Sequence, residues 1–398
     1  MMMHDVAVVG AGPSGLLAAT EVTEHDFDVV ILEEHKEVGV PDHCAGLLSV
    51  SGLDDLGLCP PNSVIQNTIE GAKIYSPSGH SLLIERKKRE ALVVNRSLFD
   101  QWLADRAEKK GVQIKTDAHV NKIGIDGQNY TLSLRSVAES IQSRFVCVSE
   151  GSRCQISQQL GFPSVPKSSK YPAFQFEMEG ADIDQKHVEM FYGRKLSAGF
   201  FAWIIPLGEG KARVGLASRG GAKRRLESAM KHHFLISKRV EGARIRRGFG
   251  GVVLVGTPIE TTSIGNAVVT GDAAGHVKAT TGGGVILGGI AARIAGQVIR
   301  NRLLRAEFER GLDEYSAQWR ANLEREFRAM FIAQKFLTSL SDKGLDSLIH
   351  DVSEYGLLQV VEKSGDMDKQ KRVILELMKK PMAYIAGLRA IRYLSPLI

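Results

Sequence analysis

Cysteine is scarce. The 398 residues contain four, Cys44, Cys59, Cys147 and Cys154, and no two form a CxxC pair. That argues against a structural zinc site and against a thioredoxin-type redox motif. So few thiols in so long a chain fit a reducing compartment. No uninterrupted apolar run reaches the ~20 residues that a bilayer-spanning helix needs. The nearest candidate, residues 282–299, is rich in glycine and carries Arg293. The N-terminus lacks a basic segment followed by an apolar stretch and a cleavage site, so no signal peptide is expected. The expected location is the cytoplasm, with peripheral contact at the inner face of the cell membrane. A large charge excess is also missing: 51 basic residues against 45 acidic ones leave a net charge of +6. No basic stripe with interleaved aromatics is present, which argues against a nucleic-acid partner. The small surplus suits an anionic cofactor, an acidic redox partner or an anionic membrane surface.

What is present reads as an α/β protein. Residues 6–9 form a β-branched run, 16–24 have helical spacing, and 28–32 form a second apolar run, a βαβ unit with short connections. A helix is expected over 97–110, stopped by Gly111, and a strand over 145–148. Residues 171–178, 187–192, 200–206 and 212–217 look like strands of an antiparallel sheet, the last two joined by a tight turn at Gly208-Glu209-Gly210-Lys211. From Ile286 onward the pattern is helical. The expected architecture is a Rossmann-like cofactor domain in three pieces (1–64, 91–165, 250–300). An antiparallel-sheet substrate domain (65–90, 166–249) is inserted into it, and a helical C-terminal region (301–398) follows.

Gly10-Ala11-Gly12-Pro13-Ser14-Gly15 lies between the first strand and the first helix. Gly10 permits the tight turn, Gly12 lets the backbone approach a pyrophosphate, and Gly15 allows close packing of helix on strand. The helix N-terminus adds unpaired N–H groups and a partial positive charge. Glu33 ends the second strand at the spacing expected for an acid that accepts from an adenosine ribose, and Glu34 should point to the opposite face. A second signature separates FAD from NAD. Gly271-Asp272 follows a late strand and leads to Gly282-Gly283-Gly284. There Asp272 would hold the ribityl chain, and the glycines would admit the pyrimidine edge of the isoalloxazine.

These segments together resemble the geranylgeranyl reductase family, in particular the archaeal digeranylgeranylglycerophospholipid reductases, within the para-hydroxybenzoate-hydroxylase-like FAD proteins. The resemblance rests on Gly10 to Gly15, Glu33, Val40-Pro41-Asp42-His43-Cys44-Ala45-Gly46, Arg96 in Asn95-Arg96-Ser97-Leu98-Phe99-Asp100, Phe201-Ala202-Trp203-Ile204-Ile205-Pro206 and Lys278-Ala279-Thr280-Thr281-Gly282-Gly283-Gly284. It implies that Ser14 and Gly15 face the pyrophosphate and that Cys44, Ala45 and Leu47 line the flavin side of a loop. It also implies that Arg96 neutralises phosphate or ribityl oxygens, that Val120 contacts the adenine through its backbone, and that Gly284 and Val285 complete the site with Asp272. The chain departs from the family pattern at Glu150-Gly151, Ile205, Ala217 and Ala279.

The implied activity is hydride addition from flavin N5 to isolated C=C bonds of geranylgeranyl chains. Phe201 and Trp203 alternate toward one sheet face; the spacing alone favours ordinary core, and the resemblance implies the wall of a dry slot. Cys44 is the candidate catalytic residue, as ring contact or proton donor, with His43 and His276 as further proton sources. The expected partners are an isoprenoid lipid and an electron donor, either reduced ferredoxin, NAD(P)H or another reductant. Lys223, Arg224, Arg225, Arg244, Arg246 and Arg247 are candidates for docking an acidic donor or a phosphorylated headgroup. The apolar and basic tail, 381–398, either meets a membrane or packs on the helical region. The rivals are an aromatic hydroxylase or halogenase on the same scaffold, and a non-catalytic flavoprotein or lipid carrier.

Overall fold

A computed structural model describes residues 3–23, 25–86, 88–135 and 140–394. Five parallel strands form the core of an eight-stranded first sheet, in the spatial order Gln113–Lys115, Val29–Leu32, Met3–Val9, Ser140–Val148, Ala267–Val269, with Ser263–Ile264, Asn129–Leu134 and Val120–Asp126 added antiparallel. The two strands at its centre, Met3–Val9 and Ser140–Val148, belong to crossovers that leave in opposite directions. The C-terminal ends of strands at such a switch point are where open α/β sheets bind ligands. Val29–Leu32 is buried throughout, as a strand covered on both faces must be. The first helix, Pro13–Val22, packs against the long helix Val285–Leu304, so the two halves of the cofactor signature share one core.

The second sheet has seven strands. Their order is Arg244–Leu254, Lys170–Glu179, Lys211–Ala217, Phe201–Gly208, His187–Tyr192, Gly71–Tyr75, Ser81–Glu85. It is not purely antiparallel, because Gly71–Tyr75 pairs parallel with His187–Tyr192. The hairpin turn holds Glu209 and Gly210 at positive φ (53° and 71°), the conformation a two-residue turn with the native strand twist requires. The strand Arg244–Leu254 runs past residue 250, where the cofactor domain was expected to resume. A three-stranded sheet of Leu47–Ser49, Ala91–Val94 and Ile65–Ile69 bridges the two larger ones. Among the described residues, eight helical segments, including one π turn, follow residue 284. Among the described residues no helix is long and apolar enough to cross a membrane.

The tail is the helix Pro381–Ile391, followed by described residues to 394; residues 395–398 of that expected segment lie outside the described residues. Ala386 and Ala390 are buried where the helix meets Asp342–Glu354, while Tyr384, Leu388 and Ile391 face outward.

Candidate functional site

The glycine turn is shaped by backbone contacts. Gly10 has φ +99°, and a Cβ there would stand 2.5 Å from the Ser149 carbonyl oxygen. A Cβ at Gly15 would stand 2.0 Å from the Gly10 oxygen. Gly12 is different: a Cβ there would meet nothing within 4 Å, so the space above it is open. Gly12 is also the N-cap of Pro13–Val22, and no side chain accepts from that helix end. An open, uncapped helix N-terminus beside an unobstructed glycine is what a pyrophosphate requires. Ser14 lies against Gly271, where a Cβ would approach its Oγ to 2.6 Å, and so the late signature meets the first.

Glu33 is buried and partly engaged. Oε2 accepts from the Ala11 N–H at 2.8 Å, and Oε1 accepts from the His35 N–H at 3.0 Å and meets His35 Nδ1 at 2.6 Å. A carboxylate has about four acceptor positions, so one remains for a ribose hydroxyl; a second opens only if the His35 ring turns away. Glu34 points elsewhere, toward His119 and Arg153, as alternation dictates. Glu150 is a helix cap. Its carboxylate accepts from the N–H groups of Gln155, Ile156 and Ser157 at 2.7–2.8 Å, because its extra methylene reaches the start of Gln155–Gln159.

Arg96 was expected to serve phosphate or ribityl oxygens. Its guanidinium makes a two-point ion pair with Asp100, at 3.0 and 2.9 Å, one turn along its own helix. Burial alone would lower its pKa, but Asp100 and then Cys44 outweigh that and keep it charged. The Arg96 charge also acts on Cys44 on the loop and on Asp272, whose carboxyl burial pushes up against the pull of the Arg96 charge. A Cβ on Gly284 would come within 2.6 Å of Asp272 Oδ1, so the glycine run touches the same carboxyl. Val285 opens the next helix. Val120 begins the strand Val120–Asp126, with its side chain in the core.

The loop bearing Cys44 is held from the second sheet by a residue that the sequence reading missed. Arg213 is 1% exposed and donates to Glu177 Oε1 at 2.9 Å, to the Ala45 carbonyl at 2.9 Å and to Gln66 Oε1 at 3.2 Å. Asp42 lies 3.7 Å from Arg213 and 3.4 Å from Arg247. Burial raises the Glu177 pKa, but Arg247 and Arg213 outweigh it and hold the carboxyl below its ordinary value. Arg246 and Arg247 are paired with Glu179 and Glu177.

On the other side of that loop lies an aromatic cluster. Phe200 stacks on Phe201 at 4.3 Å, Phe201 meets Trp203 edge-on at 6.0 Å, and Ala45, Leu47, Met190 and Met367 pack against the group. The Trp203 indole N–H donates to Gln175 Oε1 at 3.3 Å, and its ring lies over Gly215, where a Cβ would approach to 2.6 Å. Cys44 is half-buried; its N–H donates to Asp42 and its sulfur accepts from the Gly46 N–H. His276 is not a proton source. It is fully buried between Trp319 and Phe327, and burial, then Arg320, pushes its pKa down to about 3. His43 is exposed.

Residues 3–237 match the family model of the FAD binding domain. The chain is 31% identical to digeranylgeranylglycerophospholipid reductase 2 of Methanopyrus kandleri, over 94% of this chain and 96% of that protein. It is 30% identical to an uncharacterized protein of Methanocaldococcus jannaschii, over 94% and 95% of the two chains. Among solved structures, a geranylgeranyl bacteriochlorophyll reductase-like protein of Thermoplasma acidophilum superposes with a TM-score of 0.86 at 23% identity, covering 98% and 99% of the chains. The halogenase PltM superposes with a TM-score of 0.74 at 14% identity, covering 99% and 98%.

Proposed function

This chain belongs to the geranylgeranyl reductases of the FAD-binding family, oxidoreductases that carry FAD, and we propose that it saturates C=C bonds in the geranylgeranyl chains of an ether-lipid precursor. One observation carries this reading: the loop with Cys44 packs its Ala45 and Leu47 against the Phe201–Trp203 cluster and lies within the field of the buried Arg96 charge. When bound, FAD supplies a hydride, which must be delivered to an unactivated alkene in a dry site.

The chain's own residues have distinct tasks in this reading. Gly10, Gly12, Ser14 and Gly15 hold the pyrophosphate at the helix N-terminus, and Glu33 takes a ribose hydroxyl. Asp272, Gly284 and Val285 serve the ribityl and pyrimidine side, and Val120 the adenine. Arg96 screens the carboxyl of Asp272 and the sulfur of Cys44. Phe201 and Trp203 exclude water and orient the isoprenoid chain, while Ala45 and Leu47 line its approach. Cys44 Sγ holds the proton that the second carbon requires. Each turnover adds one hydride and one proton to the alkene, and a reductant, either reduced ferredoxin or NAD(P)H, restores the hydride source.

The test is incubation of reduced protein with a geranylgeranyl phospholipid, followed by mass spectrometry. A gain of two hydrogens per bond supports reduction. Gain of an oxygen supports a hydroxylase on this scaffold. An unchanged lipid on coloured protein supports a binding role.

A further inference from the structure

The C-terminal helical region sends one short turn, residues 365–370, back onto the cofactor-binding half of the molecule. The turn lies between the helices Leu358–Ser364 and Lys371–Met378. Asp368 at its centre is 1% exposed. Its carboxylate accepts from Lys278 Nζ at 2.6 Å and from the Ser49 hydroxyl. Lys278 Nζ also donates to the Met367 carbonyl at 3.1 Å, and the Thr280 hydroxyl donates to Gln370. Asp366 braces the turn by accepting from the N–H groups of Asp368 and Lys369 and from Ser51.

Lys278 is in turn the frame of the glycine run. Its carbonyl accepts from the N–H groups of Thr281 and Gly282, at 3.3 and 2.8 Å, and its own N–H donates to Gly283 at 3.1 Å. Its stem fills the place a Cβ on Gly283 would need, 2.8 Å from Cε. The same turn carries Met367 into the Phe201–Trp203 cluster. One turn therefore touches both the loop assigned to the flavin and the wall assigned to the lipid. A buried ion pair fixes it, and such a pair specifies geometry more than it adds stability.

We propose that residues 365–370 form a strap whose pin, Asp368 on Lys278, positions the Thr281–Gly284 loop against the flavin and in register with the aromatic cluster. Lys278 and Asp368 are positioning residues. The assignment of the loop to FAD rests on the function proposed above, whereas the strap itself is a property of the polypeptide.

Asp368→Asn and Lys278→Met each break the pin and leave one group buried without its partner. The double variant Lys278→Met/Asp368→Leu removes both charges and guards against simple unfolding. Two readouts decide. In protein without flavin, hydrogen exchange at the Thr281 and Gly282 amides should quicken by about tenfold in Asp368→Asn, a ~1.4 kcal/mol coupling. Unchanged exchange overturns the strap. In protein saturated with FAD, the double variant should melt near the wild type yet show a shifted flavin absorption band and midpoint potential, with Lys278→Arg partly restoring both. A double variant with wild-type spectrum and potential overturns the positioning role. If the wild type takes up no flavin, the proposed function fails, and the exchange result still decides the strap.

Discussion

Two glycines in one motif make opposite demands. Gly15→Ala drives a methyl group into the Gly10 carbonyl, and should cost about 1–3 kcal/mol of stability, read as a lowered melting temperature. Gly12→Val enters open space. It should leave the melting temperature of flavin-free protein nearly unchanged and weaken FAD by roughly 100-fold, or ~2.7 kcal/mol. Equal effects of both on folding would contradict the cradle. His276 gives a pH signature. The unfolded chain takes up its proton below about 6.5, while the buried ring resists until about 3. The stability this burial contributes is present above that range and drains as pH falls through it, by up to about 1.4 kcal/mol per unit. His276→Phe should flatten the melting temperature against pH between 6 and 4, as followed by circular dichroism. Gly10, Gly12 and Gly15 were legible because their constraints are local. His276 was not, since its neighbours Trp319 and Phe327 arrive from helices that no short-range pattern brings there, and neither was the capping role of Glu150, which depends on where the next helix starts.

At the scale of elements, the loop with Cys44 depends on the register of the second sheet. Arg213 reaches it only because Lys211–Ala217 lies between Phe201–Gly208 and Lys170–Glu179. Arg213→Met leaves Asp42 and Glu177 with the half-exposed Arg247 as their remaining cation and the Ala45 carbonyl without its buried donor. Removing one partner of such a network costs about 3–5 kcal/mol, measurable by urea unfolding. A loss under ~1 kcal/mol would mean that the network does not hold the loop. The four strands read in the second sheet fall within two residues of their observed bounds, whereas the runs 6–9 and 145–148 are only the ends of Met3–Val9 and Ser140–Val148. The parallel pairing of Gly71–Tyr75 was not, because a strand carries no mark of its partner's direction. Arg213 reads as a routine strand residue until its register is known.

For the whole molecule, the two C-terminal helices Lys371–Met378 and Pro381–Ile391 leave Met378, Tyr384 and Leu388 more than half exposed, beside Lys379, Lys380, Arg389 and Arg392. An apolar face rimmed by cations suits an anionic lipid surface. Tyr384→Glu/Leu388→Glu should abolish co-sedimentation with anionic vesicles and keep the melting temperature; undiminished sedimentation would remove this face from the account. The helical character of the region was legible in its spacing, but the return of residue 368 to Lys278 was not, because it joins segments 90 positions apart.

The most direct measurement follows the flavin itself, in the strict absence of oxygen, as reduced protein is mixed with a geranylgeranyl phospholipid. The account predicts that the yellow oxidised spectrum returns, with one double bond saturated for each flavin reoxidised. A flavin that stays reduced until oxygen is admitted, with the lipid unchanged, would contradict it.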